Sequence, residues 1–143
     1  MRAKAAVLIA AAAMTLSAIP AWAHHAFAAE FDAKKPVHLE GVVTKVELIN
    51  PHAWIHVDAK NSDGTVTSWM VEAGSPNVLL RRGFTKQSVP AGTQVIVEGY
   101  QSKDGSNRAN GRDITLPSGQ KLFLGSGNTG APDDDKAPKT PQQ

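Results

Sequence analysis

The chain has 143 residues, 15 of them Lys or Arg and 13 Asp or Glu, with no cysteine. Two of the basic residues, Arg2 and Lys4, stand in the first 23 positions, so the rest is balanced at 13 against 13 and has no electrostatic hold on a phosphate backbone. Nucleic-acid binding is therefore excluded as the main role, and the missing cysteines exclude a disulfide scaffold or a thiolate metal site.

Residues 1–23 run from a basic start through an apolar stretch, residues 5–19, to Pro20, Ala21, Trp22 and Ala23. This is the pattern of a signal peptide with a small-x-small cleavage site. A spanning helix needs ~20 apolar residues, and Pro20 ends this one early, so no membrane span is expected after the signal is removed. The pattern predicts export to the periplasm and a mature chain whose free amino terminus is His24.

Residues 24–36 form an N-terminal arm. Phe27 and Phe31 need burial, which predicts that the arm lies against the domain. Residues 37–49 are rich in β-branched side chains and read as a first strand, with Gly41 marking a bend or bulge. Asn50-Pro51 is a turn signal. Residues 52–60 form a second strand, 61–64 a hairpin loop ending in Asp63-Gly64, and 65–72 a third strand. Ser75 as N-cap, Pro76 at the first helical position and Gly83 as the stop predict one short helix. A turn at 90–92 leads to a fourth strand over 93–101 and a polar loop over 103–111. A fifth strand over 112–124 is either continuous or a hairpin broken at Pro117, Ser118 and Gly119. Residues 125–143, poor in apolar side chains, read as a disordered tail.

The domain proper, residues 37–124, together with its arm makes ~100 residues, enough for a single core. Three strands, one helix and two more strands is the order of a five-stranded Greek-key barrel of the OB type. A small β-sandwich is the alternative.

Four motifs punctuate this plan. They are His24-His25-Ala26-Phe27; Asn50-Pro51-His52 with Trp54; Pro76-Asn77 with Leu79, Arg81 and Gly83; and Lys103-Asp104-Gly105 with Ala109 and Gly111. Together they resemble a family of small exported bacterial proteins of unassigned function, in which a serine usually stands where this chain has Ala26. The resemblance implies export and a small β-rich domain, and it brings no known activity.

Function must then be argued from side chains. A free His24 offers an α-amine and an imidazole as a chelating pair, and His25 adds a second imidazole. Nitrogen donors of this kind suit Cu(II), and the pair is similar to the histidine brace of exported copper proteins. Along a strand His52, Trp54, His56 and Asp58 share one face while Ala53, Ile55 and Val57 share the other. His52 and His56 stand ~13 Å apart at strand rise, so only one of them can join a given ion. His52 is the better outside partner, His56 the next, and His38 a weaker third.

The competing reading is a non-metal binding module for a small molecule or an envelope protein, using the face of strands two and three. Trp54, Trp69, Tyr100, Arg108 and Arg112 are its candidate residues, with the two arginines placed in the loop between strands four and five. OB-type barrels commonly bind across this region and its flanking loops. Glu47, Glu72 and Asp113 form no nucleophile-base-orienter set, and no phosphate-binding glycine loop is present, so the sequence points to no enzyme. Mass spectrometry of the exported protein is expected to find a mature chain beginning at His24. Any other start removes the amine-imidazole chelate.

Overall fold

The computed structural model describes residues 26–125 and 129–132. Its elements are α1 (Ala26–Glu30), β1 (Phe31–Glu47), β2 (Trp54–Lys60), β3 (Val66–Glu72), α2 (Pro76–Arg81), β4 (Gln94–Ser102), β5 (Arg108–Thr115) and β6 (Lys121–Phe123). β1 pairs antiparallel with both β2 and β4, β2 with β3, and β4 with β5. β3 and β5 then meet in parallel, Met70–Glu72 against Arg108–Asn110. This last pairing closes the sheet in the order β1-β2-β3-β5-β4, one small all-β barrel with the strand order of the OB type. β6 adds only to β5, as the outer arm of a hairpin.

β1 serves two neighbours in turn, β4 from Phe31 to Val42 and β2 from Gly41 to Glu47. At the changeover the backbones crowd, and a Cβ added to Gly41 would lie 2.3 Å from the Asp58 carbonyl oxygen. Just beyond, the register slips between Val43 and Lys45. The bend expected at Gly41 is thus a close backbone approach followed by a bulge. β1 also begins earlier than residue 37, because Phe31 pairs with Ser102 and Pro36 with Tyr100. Pro36 lies where β1 has β4 as its only partner strand, the edge position that tolerates a residue without an N–H.

The core follows the period-two pattern of the strands. Ala53, Ile55, Val57 and Ala59 point inward and are buried, joined by Val43, Val71, Val97 and Ile114. α2 corks one end. Ser75 has the extended backbone of an N-cap although its side chain makes no capping bond, and Pro76 opens the helix. Gly83, at φ 84°, turns the chain into the left-handed region that ends helices. Leu79, Phe84 and Val89 are then fully buried against the strand residues.

A second, smaller cluster lies outside the barrel, where Phe27, Phe31 and Ala131 are buried with Tyr100 packed against them. The arm is therefore folded onto the domain as α1 and the start of β1. Of the tail expected from residue 125, residues 129–132 are described, and Ala131 sits in this cluster. The remainder of the tail beyond Gly125 and the signal segment 1–23 lie outside the described residues.

The fifth strand needs correction. It begins at Arg108, inside the expected polar loop; of the two forms expected beyond it the chain takes the hairpin, turning at Pro117, Ser118 and Gly119 between Leu116 and Gln120. Arg108 to Asn110 are strand because two partners, β3 and β4, satisfy their backbones. Among the described residues no helix is long and apolar enough to cross a membrane.

Replacing Gly41 with alanine should cost about 2 kcal/mol, since the added carbon meets backbone, which cannot rotate away. A lowered urea midpoint with an unchanged slope would show it, and an unaltered midpoint would mean β1 and β2 can separate there at no cost.

Candidate functional site

With Ala53, Ile55 and Val57 buried, β2 presents Trp54, His56 and Asp58 on its outer face, as its alternation predicts, and His52 stands just before the strand. Trp54 stands opposite Glu72 on β3, Glu72 beside Asn110 on β5, and Asn110 opposite Tyr100 on β4. These four make one row across four strands. Residues directly opposed on one face are close enough to interact, so a row of this kind is a continuous surface.

Two residues back along β5, Arg108 lies on the same face and reaches over β3. Its guanidinium is 5.7 Å from the Trp54 ring centroid and 6.0 Å from that of Phe31. Its Nη2 donates to Glu30 Oε2 at 2.8 Å, tying the last residue of α1 to the barrel. Lys103 supports the same helix, its backbone N–H donating to the Glu30 carbonyl at 2.9 Å and its ammonium to the Ala28 carbonyl. Phe27 meets Tyr100 edge-on, with ring centroids 5.6 Å apart.

Two loops bracket the row. The turn between β1 and β2, with a cis peptide at Asn50-Pro51, carries His52. The turn between β4 and β5 is braced by Asp104, which accepts from Ser102 Oγ at 2.5 Å and from the Ser106 N–H at 2.9 Å. The Ser102 bond chiefly, with the Ser106 bonds, holds the Asp104 carboxyl down at about 2.

His52 Nδ1 approaches Glu72 Oε1 at 3.3 Å, yet the nitrogen is enclosed and makes no hydrogen bond. Asn110 Oδ1 is likewise enclosed and unbonded. The Glu72 side chain is only 14% exposed, and burial pushes its carboxyl above the usual range. Glu30 reinforces that push, while His52 and Arg108 oppose it.

The other histidines among the described residues, His56 and His38, are committed elsewhere. His56 Nε2 lies 3.0 Å from Glu47 Oε2 on β1, so His52 and His56 face different carboxylates on different strands. Glu47 also contacts Lys45, which is the main cause of its lowered pKa. His38 has both ring nitrogens engaged, Nε2 with Glu40 at 3.1 Å and Nδ1 with Glu98 at 2.5 Å. Those two hydrogen bonds, Glu40 first, raise its pKa.

The fold thus gathers His52, Trp54, Tyr100 and Arg108 into one area and sets other candidates apart. Trp69 stands opposite Val57 and packs on the core, so it faces away from Trp54 and the two indoles cannot stack. Arg112 belongs to β5 and not to a loop. It is 6% exposed and lies 4.7 Å from the Phe123 ring, with Arg82 at 4.9 Å from the same ring, in the corner near α2. His24 and His25 lie outside the described residues. Among the described residues no group of three His, Asp or Glu side chains is arranged to hold a metal ion.

Glu30 and Asn110 escaped the sequence reading, and Glu72 was considered only as an acid or base. Glu72 was within reach of it. The Asp63-Gly64 hairpin sets Lys60 opposite Val66, and counting back along both strands brings Trp54 to Glu72.

A buried carboxyl with a raised pKa stabilises the fold in its protonated form. That contribution is complete below the unfolded pKa and is lost as pH rises through the higher folded value. Glu72→Gln is therefore expected to be more stable than the parent at pH 7, with the difference shrinking on acidification to pH 4. Urea midpoints at the two pH values measure this, and a parent more stable at pH 7 would show that the carboxylate is well paired.

Comparison with known proteins adds one finding. No curated protein and no solved structure gives a significant match. Residues 12–111, more than half of the chain, match the model of DUF6152, a family of unknown function, and the chain belongs to that family.

Proposed function

We propose that the protein is exported to the periplasm and binds a transition metal there, copper foremost, through a mature amino terminus beginning His24-His25. The observation that carries this reading is the His52 imidazole, whose enclosed Nδ1 makes no hydrogen bond and faces Glu72 at 3.3 Å. An imidazole and a carboxylate are two competent donors, and a metal needs more.

The missing donors are close in chain terms. α1 has five residues and is roughly 7 Å long. Its last residue, Glu30, pairs with Arg108 and acts on Glu72 electrostatically. Two further residues extend at most ~7 Å, so the amine of a chain starting at His24 stands within ~14 Å of Glu30, and this reading has it turn back toward His52. The α-amine has a reference pKa of ~7.7–8.0 and loses its proton to a competing metal. On this reading the two sequence motifs have one purpose. His-His-x-Phe supplies the chelate and, in the buried Phe27, its anchor, while Asn-Pro-His-x-Trp supplies the outside imidazole. His56, occupied by Glu47, is the second choice.

A second reading, a binding module for a small molecule or envelope protein, is favoured by Trp54 and Arg108 lying together on the outer face.

Copper titration of the processed protein separates these. One alanine added before His24 should weaken binding about tenfold or more, because even supporting partners of a ligand contribute 10–100-fold. His52→Ala should weaken it comparably. Equal affinity in both variants would overturn the metal reading.

A further inference from the structure

Arg108 has more donors than its one partner uses. A guanidinium carries five N–H groups in a planar fork that matches a carboxylate through two parallel bonds. Here Nη2 alone is engaged, by one oxygen of Glu30, and the remaining donors meet no acceptor among the described residues. The Arg108 side chain is still 35% exposed, and Glu30 is 57% exposed, so the pair is open to solvent and to competitors. Beside the fork lie the half-buried Trp54 ring and the buried Phe31 ring. Met70, 39% exposed, is the direct neighbour of Arg108 across the β3–β5 pairing.

We infer that the Arg108–Trp54 face binds a small monocarboxylate with a flat apolar body, and that Glu30 competes with that carboxylate for the Arg108 fork. The inference rests on the second reading above and is independent of any metal. The fork takes the carboxylate through two bonds where Glu30 makes one, and Trp54 and Met70 cover the body. Charge selects the class. Glu30 and Glu72 set two carboxylates beside one guanidinium, so a phosphate or dicarboxylate meets repulsion that a monoanion largely escapes. A cation gains nothing from the Arg108 fork, which carries donors only. Glu30 acts as an internal gate because it belongs to α1, which is held by Phe27 and Phe31 in their own cluster and stays docked when the ion pair opens.

The test uses the processed protein with EDTA present, so that metal plays no part. Benzoate is the probe, benzamide its uncharged match, and the readout is the movement of the Trp54 indole and Arg108 amide NMR signals. Benzoate is expected to shift both and benzamide neither. Glu30→Gln should bind benzoate about threefold more tightly, the size of an exposed ion pair released from competition. Arg108→Met should abolish the response, and Arg108→Lys, which keeps the charge and loses the fork, should weaken it. Lys121→Met, which removes a cation paired with Asp113 elsewhere, should change nothing and serves as the folding and charge control.

Equal response to benzamide overturns the inference. So does unchanged or weaker binding by Glu30→Gln, or signal shifts centred on the groove lined by Val42, Ile96 and Leu116 instead. Copper binding that fails while benzoate binding holds removes only the metal reading, and the reverse result removes only this one.

Discussion

The parallel pairing of Met70–Glu72 with Arg108–Asn110 is the contact on which the rest depends. Without it the strands form an open sheet with two long edges, each a row of unpaired backbone groups. With it the sheet closes, and Ala109 turns inward to full burial beside Val71. The same three-residue contact puts Glu72, Asn110 and Arg108 on one outer face. Closing the barrel and assembling the polar surface are therefore a single structural event. Gly111 marks how tight the seam is, since a Cβ there would lie 2.7 Å from the Val71 side chain and 3.0 Å from that of Leu124.

Electrostatics on this face are arranged around Arg108, which answers two carboxylates at once. Glu30 is exposed, so its attraction to Arg108 is screened by water and worth ~0–1 kcal/mol. Glu72 is mostly covered, and taking its charge out of water outweighs the help it receives from His52 and Arg108, so its carboxyl titrates higher. A fold selected for stability alone has little reason to keep a covered carboxylate beside an unbonded imidazole nitrogen. The core gains nothing from them, because they stand on the side of β2 and β3 opposite Ile55, Val57 and Val71.

The parts of the fold legible in the sequence were those with local causes. The 52–60 alternation, the Asp63-Gly64 hairpin and the Pro76-to-Gly83 helix are each written in a few neighbouring residues, and the order of elements then pointed to the barrel. Arg108 to Asn110 were read as loop because Arg-Ala-Asn-Gly lacks strand propensity. What makes them strand is pairing with β3 and β4, and β3 lies more than thirty residues upstream. The site divides in the same way. The outward set of His52, Trp54 and His56 follows from strand period. Trp54 and Trp69, both candidates for one face, fall on opposite faces because register was not legible, and Arg112 parts from Arg108 because the register shifts at Arg112, between Gly111 and Asp113. Glu30 could not be found locally at all, since its place depends on how α1 docks.

How α1 is held decides what its charges can do. Phe27 and Phe31 are 4% and 2% exposed, and burying each aromatic ring contributes ~1.5–3 kcal/mol. The Glu30–Arg108 pair contributes at most about a third of that sum. Apolar burial therefore fixes the helix to the barrel, with Tyr100 meeting Phe27 edge-on and Ala131 closing the cluster. The ion pair only sets where the Glu30 carboxylate points. This separation leaves Arg108 free to change partner without unfolding the arm. A charged contact weak enough to exchange, on a helix held by contacts that do not exchange, gives a surface able to respond to a ligand at little cost in stability.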